Sequence, residues 1–258
     1  MTLLREEMAV GLKQTPSAKE RLIVALDVET HGEALELFNA LKDFAGMFKI
    51  GSQLFTAAGP KVVREIVAAG GRVFLDLKFH DIPNTVARAG VEAARLGVSI
   101  FNVHASGGSE MMRRTIAEVH EASQREDLTR PAIIAVTVLT SADRATLGEV
   151  GLSSTVDEQV ERLARLAAES GMDGVVASPH EVRRVRDAVR RAGFLVVTPG
   201  VRPGGAEAHD QKRIMTPAEA MRAGADYLVI GRAILQALDP ARAAQKIIDE
   251  MEAAESKN

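Results

Sequence analysis

The chain has 258 residues, of which 46% are hydrophobic and 26% are charged, and its net charge is −3. These totals are typical of a soluble globular protein and give no electrostatic reason to expect nucleic-acid binding. Aromatic residues make up only 3%, which disfavours a base-stacking platform for single strands. Cysteine is absent, which excludes disulfides and zinc–thiolate sites.

The N-terminal segment MTLLREEMAVGLKQTPSAKE contains acidic residues and has no continuous apolar core, so it does not resemble a signal peptide. No apolar run in the chain reaches the roughly 18 residues that a transmembrane helix needs. We therefore predict a cytoplasmic protein with no membrane contact. Residues 1–20 are expected to form a loosely ordered extension, and residues 21–258 a single folded domain.

Eight apolar runs of strand length follow in chain order: RLIVALD, MFKIG, RVFLDLKF, SIFNVHA, AIIAVTVLT, GVVAS, FLVVTPG and YLVIG. Most of them are apolar at consecutive positions. That pattern is typical of parallel strands that are buried on both faces.

Segments with helical periodicity or helix-capping residues lie between these runs. The clearest are THGEALELFNALKD with its Thr30–Glu33 capping box, SPHEVRRVRDAVRRAG from Ser178 to Gly193, TPAEAMRAGAD from Thr216, and DPARAAQKIIDEME from Asp239. Eight alternations of strand and helix predict a (β/α)8 TIM barrel. The alternative is a doubly wound open sheet, which the count of eight and the lack of a Gly-x-Gly-x-x-Gly turn disfavour.

Active sites of such barrels lie at the C-terminal ends of the strands. Several predicted strands end in polar residues: Asp27, Lys49, Asp76 with Lys78, Asn102 with His104, Thr137 with Thr140, and Gly231 with Arg232. A single residue of this kind is equally well interpreted as a solvated strand end. For Asn102 and His104 we favour a structural role in the interior.

The pair Asp76 and Lys78 is harder to explain structurally. Residues two apart share one face of a strand, so Leu75 and Leu77 would face the helices while both charges point into the barrel mouth. Buried charges are tolerated when they are paired and hydrogen-bonded. A purely structural ion pair is the alternative interpretation.

Two glycine- and arginine-containing loops follow the last two strands, in TPGVRPGG and IGRAIL. Barrels often build a phosphate site from the loops after strands seven and eight, using backbone N–H groups and arginine. These loops predict a small phosphorylated substrate. The alternative is a pair of tight turns with a surface arginine.

Together these blocks resemble the orotidine 5′-monophosphate decarboxylase family. FLDLKFHDIPNT contains its Asp-x-Lys-x-x-Asp signature, and IVALDV, FKIG, NVHASGG, AVTVLTS, VTPGVRP, DQKRIMTP and VIGRAI resemble family blocks in the same order. The resemblance covers the chain after the N-terminal extension. The signature alone is shared with a wider group of barrel enzymes that act on sugar phosphates.

The resemblance implies a cofactor-free, metal-free decarboxylase that works as a homodimer. It assigns a catalytic tetrad to Lys49, Asp76, Lys78 and Asp81, and substrate contacts to Asp27, Ile82, Thr85, Thr140, Arg202, Gln211, Gly231 and Arg232. Asp81, Ile82 and Thr85 would cross into the site of the partner. Gln211 would lie on a loop that closes over the phosphate.

The decarboxylation implied by the resemblance requires a positive charge and a proton donor at one position in the site. Loss of CO2 from C6 of the orotate ring leaves an in-plane carbanion that cannot delocalise into a carbonyl. The ammonium of Lys78 would stabilise this charge and then protonate C6. Burial opposes a charged lysine, whereas the neighbouring carboxylates favour it, and Lys49 would bring the tetrad to neutrality.

Two other functions remain open from the sequence. One is a barrel lyase that acts on a keto-sugar phosphate through a magnesium-stabilised enediolate, with the carboxylates as metal ligands. The other is a non-catalytic barrel that binds a phosphorylated metabolite. The second would be indicated by a broken tetrad, and this tetrad is intact.

Overall fold

The computed structural model describes residues 16–203 and 215–255. Eight parallel strands pair in chain order, and β1 also pairs with β8, which closes the barrel. The strands are β1 Leu22–Ala25, β2 Met47–Gly51, β3 Val73–Phe79, β4 Ile100–His104, β5 Ala132–Val136, β6 Gly174–Val176, β7 Leu195–Pro199 and β8 Tyr227–Ile230. The predicted (β/α)8 barrel is confirmed, and the open sheet is wrong because β1 has no free edge.

Helices cover the outside of the barrel. They are α1 Ala18–Arg21, α2 His31–Leu41, α3 Ser52–Ala58, α4 Lys61–Ala68, α5 Pro83–Arg95, α6 Gly108–Arg125, α7 Arg144–Glu149, α8 Val156–Glu169, α9 Val182–Ala188, α10 Pro217–Ala223, α11 Arg232–Leu235 and α12 Pro240–Glu255. Short 3₁₀ helices at Ala105–Gly107 and Pro179–Glu181 precede α6 and α9. Across the two described stretches, none of these helices has the length and apolarity required to cross a membrane.

The core has two layers because the strands bury both faces. Inward-facing side chains fill the barrel: Ile23, Ala25, Met47, Phe74, Ile100, Ile134, Val197 and Val229. The alternate residues of the same strands pack against the helices in a larger cluster. This division explains the consecutive apolar runs in the sequence.

The capping residues form the predicted helix starts, with one difference in length. Thr30 and Glu33 cap α2 reciprocally, and Thr216 caps α10 in the same way. The prediction that the helix after Ser178 extends to Gly193 is wrong. It ends at Ala188, where the backbone of Val189, with φ −119° and ψ 88°, leaves the helical region.

Residues 1–15 of the predicted extension lie outside the described residues. The last residues of that extension belong to α1, which begins with a capping box at Ser17 and buries Ala18. The described part of the chain therefore joins the barrel a few residues before position 21.

Gly174, at the start of β6, lies where two strands approach closely. It pairs with Leu195 of β7. A Cβ atom added at position 174 would lie against the carbonyl oxygen of Leu195 and 2.6 Å from its Cβ. Any larger side chain would therefore push the two strands apart.

We expect Gly174→Ala to lower the free energy of unfolding by about 1–3 kcal/mol, because the added methyl overpacks the barrel wall. Gly32→Ala is the matched control, since Gly32 lies in α2 with nothing within 4 Å of an added Cβ. Replacing this glycine, which lies in the first turn of the helix, should leave stability unchanged or raise it by up to about 0.5 kcal/mol. Urea denaturation measures both values, and equal stability of the two variants would contradict the close approach.

Candidate active site

A cavity of about 280 Å³ opens at the C-terminal ends of the strands. Eight of the predicted site residues line it: Asp27, Lys49, Asp76, Lys78, Thr140, Arg202, Gly231 and Arg232. They come from six different strands or from the loops that follow them. The barrel thus brings together residues that lie more than 200 positions apart in the chain.

Four charged side chains alternate in sign along one wall of this cavity. Lys49 Nζ lies 2.9 Å from Asp27 Oδ1 and 3.6 Å from Asp76 Oδ2. Lys78 Nζ lies 2.7 Å from Asp76 Oδ1. Each oxygen of the Asp76 carboxylate therefore faces one ammonium, which balances its charge and restrains its rotation.

Asp76 and Lys78 point into the cavity as predicted, but β3 is not regular there. Leu75 and Leu77 pack toward the helices. Pairing with β4 shifts register between Leu75 and Phe79, and Lys78 has a φ of +52°. A non-glycine residue in the left-handed region is strained by about 1–2 kcal/mol, so the surrounding contacts must hold it.

Asn102 of β4 provides such contacts. Its side chain is fully buried, its Oδ1 accepts from the backbone N–H of Lys78 at 2.8 Å, and its Nδ2 donates to Asp76 Oδ1 at 2.6 Å. Sequence reasoning noted Asn102 as a strand end but assigned it to the interior structure alone. Its inward-facing register, two residues after Ile100, is the signal that places it beside Asp76.

The remaining walls divide into an apolar part and a cationic part. Side chains of β5, β6 and the loop after β5 supply the apolar surface: Val136, Val138, Leu139 and Val176. The loops after β7 and β8 supply the cationic part: Gly200, Arg202, Gly231 and Arg232. Arg202 is almost buried and Arg232 begins α11, so an anion at this end would meet two guanidinium groups.

Three predicted site residues lie away from the cavity of their own chain. Asp81 is exposed and its Oδ1 accepts from the backbone N–H of Ile82 at 2.6 Å. Ile82 is 66% exposed, and Thr85 is also exposed. Gln211 lies outside the described residues.

A histidine pair lies next to the lysine. The rings of His80 and His104 are 5.4 Å apart, and His104 is partly buried at the end of β4. Burial lowers the pKa of His104 below its ordinary value, and the charges of His80 and Lys78 lower it further, whereas Asp76 opposes the shift. The neutral ring is therefore favoured beside the cationic site.

Comparison with known sequences identifies the family of this site. The model of the orotidine 5′-phosphate decarboxylase / HUMPS family matches residues 20–247. An orotidine 5′-phosphate decarboxylase of Geobacter sulfurreducens is 56% identical over 234 residues, covering 91% of this chain and 97% of that protein. One of Moorella thermoacetica is 55% identical over 236 residues, covering 91% and 93%.

Solved structures agree with these sequence matches. The crystal structure of orotidine 5′-phosphate decarboxylase from Lactobacillus acidophilus superimposes with a TM-score of 0.78 and 36% identity, covering 89% of this chain and 98% of that chain. The enzyme of the same name from Pyrococcus horikoshii gives a TM-score of 0.70 with 27% identity, covering 90% and 99%.

The lowered pKa of His104 predicts a pH effect on stability. Above about pH 6.5, the ordinary histidine value, the ring is neutral in both the folded and the unfolded chain. As the pH falls below this value, the unfolded chain takes up the proton first, so the free energy of unfolding decreases. We expect an NMR titration to place the midpoint of His104 below 6.5, and His104→Gln to flatten the pH dependence of stability between about pH 5 and 7.

His80→Gln separates the causes of this shift. Removing the neighbouring imidazole should raise the midpoint of His104 while leaving the effect of burial. A midpoint of His104 at or above the ordinary value in the unaltered protein would contradict the expectation.

Proposed function

The chain belongs to the orotidine 5′-phosphate decarboxylase / HUMPS family, and we propose that it decarboxylates orotidine 5′-monophosphate to uridine 5′-monophosphate in pyrimidine biosynthesis. The observation that carries this proposal is the ammonium of Lys78, held 2.7 Å from Asp76 in the cavity that Arg202 and Arg232 also line. The cavity thus combines a fixed cation for the reacting carbon with arginines for a phosphate.

In the proposed reaction the bond between C6 and the carboxylate breaks, CO2 leaves, and the electron pair remains on C6. Lys78 Nζ stabilises that charge and then donates a proton to C6, after which solvent reprotonates the amine. No other electron sink is required. Asp76 pairs with the ammonium and orients it, and Lys49 faces the second oxygen of that carboxylate.

Asp27 and Thr140 are proposed to contact the ribose and the pyrimidine ring, respectively. Both line the cavity, and Asp27 pairs with Lys49 at the end of the charged row. Arg202, Gly231 and Arg232 are proposed to bind the phosphate, with Gln211 closing over it. Binding energy from this unreactive group would orient the ring at Lys78 and drive loop closure.

A homodimer is proposed to complete each site. Asp81 and Ile82 lie between β3 and α5, and Thr85 lies in the first turn of α5. All three are exposed and lie away from the cavity of their own chain. Contact of Ile82 with a second copy would remove its exposed apolar surface from water. In the dimer, Asp81 of one copy would become the second carboxylate beside Lys78 of the other.

The magnesium-dependent lyase is less well supported by the geometry. Both oxygens of Asp76 face lysine ammonium groups, and a divalent cation would have to replace one of them. We also propose that the protein acts in the cytoplasm, since its cysteine-free composition is compatible with a reducing compartment.

The direct test is incubation with orotidine 5′-monophosphate in the presence of a chelator, following the loss of substrate absorbance. We expect full turnover by the unaltered protein. Lys78→Ala should reduce kcat by at least about 10⁴-fold, because one group supplies both charge stabilisation and the proton. Lys61→Ala, which alters an exposed lysine of α4, is the matched control and should leave kcat unchanged. Loss of all turnover with the chelator, or an active, folded Lys78→Ala protein, would refute the proposal.

Mixing two inactive variants tests the shared site. In a hybrid of Asp76→Ala and Asp81→Ala subunits, one site carries both substitutions and the other carries neither. Random exchange of equal amounts should therefore restore about one quarter of the wild-type activity, as expected for a two-fold symmetric dimer.

The control mixture combines Asp76→Ala with Lys78→Ala. Both residues act within their own chain, so every site of that hybrid keeps one substitution and activity should not recover. Absence of recovery in the first mixture, after subunit exchange has been verified, would show that Asp81 does not act across the interface.

A further inference from the structure

Position 78 has two requirements that no single residue type satisfies well. The reaction needs a lysine side chain there, whereas the backbone, with φ +52°, adopts a conformation that favours glycine. The next residue, Phe79, has already shifted register against β4. A contact outside position 78 must therefore hold the backbone in place while the ammonium points at the cavity.

Asn102 is the residue that makes this contact. Its orientation is unambiguous, because the backbone N–H of Lys78 can only donate and the carboxylate of Asp76 accepts. The amide therefore connects the main chain of Lys78 to the carboxylate that holds the ammonium of Lys78. These three groups form a closed ring of hydrogen bonds: 2.8 Å to the N–H, 2.6 Å to Asp76 Oδ1, and 2.7 Å from there to Lys78 Nζ.

We propose that Asn102 is a positioning residue that aligns the ammonium of Lys78 with the reacting carbon, an inference that rests on the proposed decarboxylation. Asn102 does not line the cavity and has no exposed surface, so it acts through Lys78 and Asp76. One oxygen of Asp76 is shared by the amide and the ammonium, which fixes the rotation of the carboxylate. The other oxygen remains directed at Lys49.

The chemistry of the ring explains why asparagine is present. Leucine of similar size would leave the N–H of Lys78 without its acceptor. Aspartate would keep the acceptor but place a second carboxylate against Asp76. Among side chains of this length, only the primary amide offers one acceptor and one donor in the required directions.

The first experiment compares steady-state kinetics of Asn102→Ala with those of the wild type. We expect kcat to fall by about 100-fold with KM changed by less than about threefold, because the ammonium is misplaced while phosphate binding is retained. Thr115→Val is the matched control, since it removes the buried hydrogen bond from Thr115 Oγ1 to Met111 O, at 2.8 Å, in α6. Its kcat should equal that of the wild type.

The second experiment does not depend on activity. Hydrogen exchange of the Lys78 amide should accelerate by at least about tenfold in Asn102→Ala and stay near the wild-type rate in Asn102→Asp, which keeps the acceptor. The amide of Ile133, which donates to Asp173 Oδ2 at 2.7 Å, is the internal control and should be unaffected. Asn102→Asp should nevertheless lose kcat, because it lacks the donor to Asp76.

The outcomes separate this inference from the proposed function. Wild-type kcat in a folded Asn102→Ala protein, or a rise in KM alone, would overturn the positioning role. If Asn102→Ala does not fold, undiminished kcat in Asn102→Asp has the same meaning. Unchanged exchange of the Lys78 amide in Asn102→Ala, which lacks the acceptor, would also overturn it. Failure of the wild type to turn over orotidine 5′-monophosphate would refute the proposed function, whereas the exchange result would still test the contact.

Discussion

The ion pair between Lys78 and Asp76, with 2.7 Å between ammonium and carboxylate, is the interaction around which the site is organised. A partly buried ammonium is stabilised by a carboxylate that replaces the water contacts it has lost. That carboxylate must in turn be held, and Lys49 and Asn102 occupy its remaining contacts. The barrel supplies all four groups from β2, β3 and β4, which are consecutive and rigidly paired.

The strand ends and the faces of the side chains could be predicted from the sequence because they follow local rules. Consecutive apolar runs marked all eight strands, and the two-residue spacing of Asp76 and Lys78 placed both charges on the inner face. The end of α9 was mispredicted because the chain leaves the helical region at Val189, whereas the residue that indicates a helix end in the sequence is Gly193. Local capping signals therefore overestimated the length of this helix.

Contacts between distant segments were the least accessible to sequence reasoning. In the sequence, Asn102 is a single polar residue in an apolar strand. Only the register of that strand against β3 shows that Asn102 forms hydrogen bonds with Lys78 and Asp76. The bulge after Leu75 was equally invisible, since lysine is not a residue that indicates a positive φ. The expectation that Asp81, Ile82 and Thr85 reach the site of a partner came from the family resemblance and not from local sequence rules.

The left-handed backbone at Lys78 also bears on protein engineering. Grafting an Asp-x-Lys pair onto an idealised barrel would place the same two residues on a regular strand. The lysine amine would then point into the cavity in a different direction. A design that preserves the site would have to transfer the irregular strand β3 together with the side-chain amide of Asn102 from β4. The smallest portable piece of this site is therefore a two-strand module rather than a linear motif.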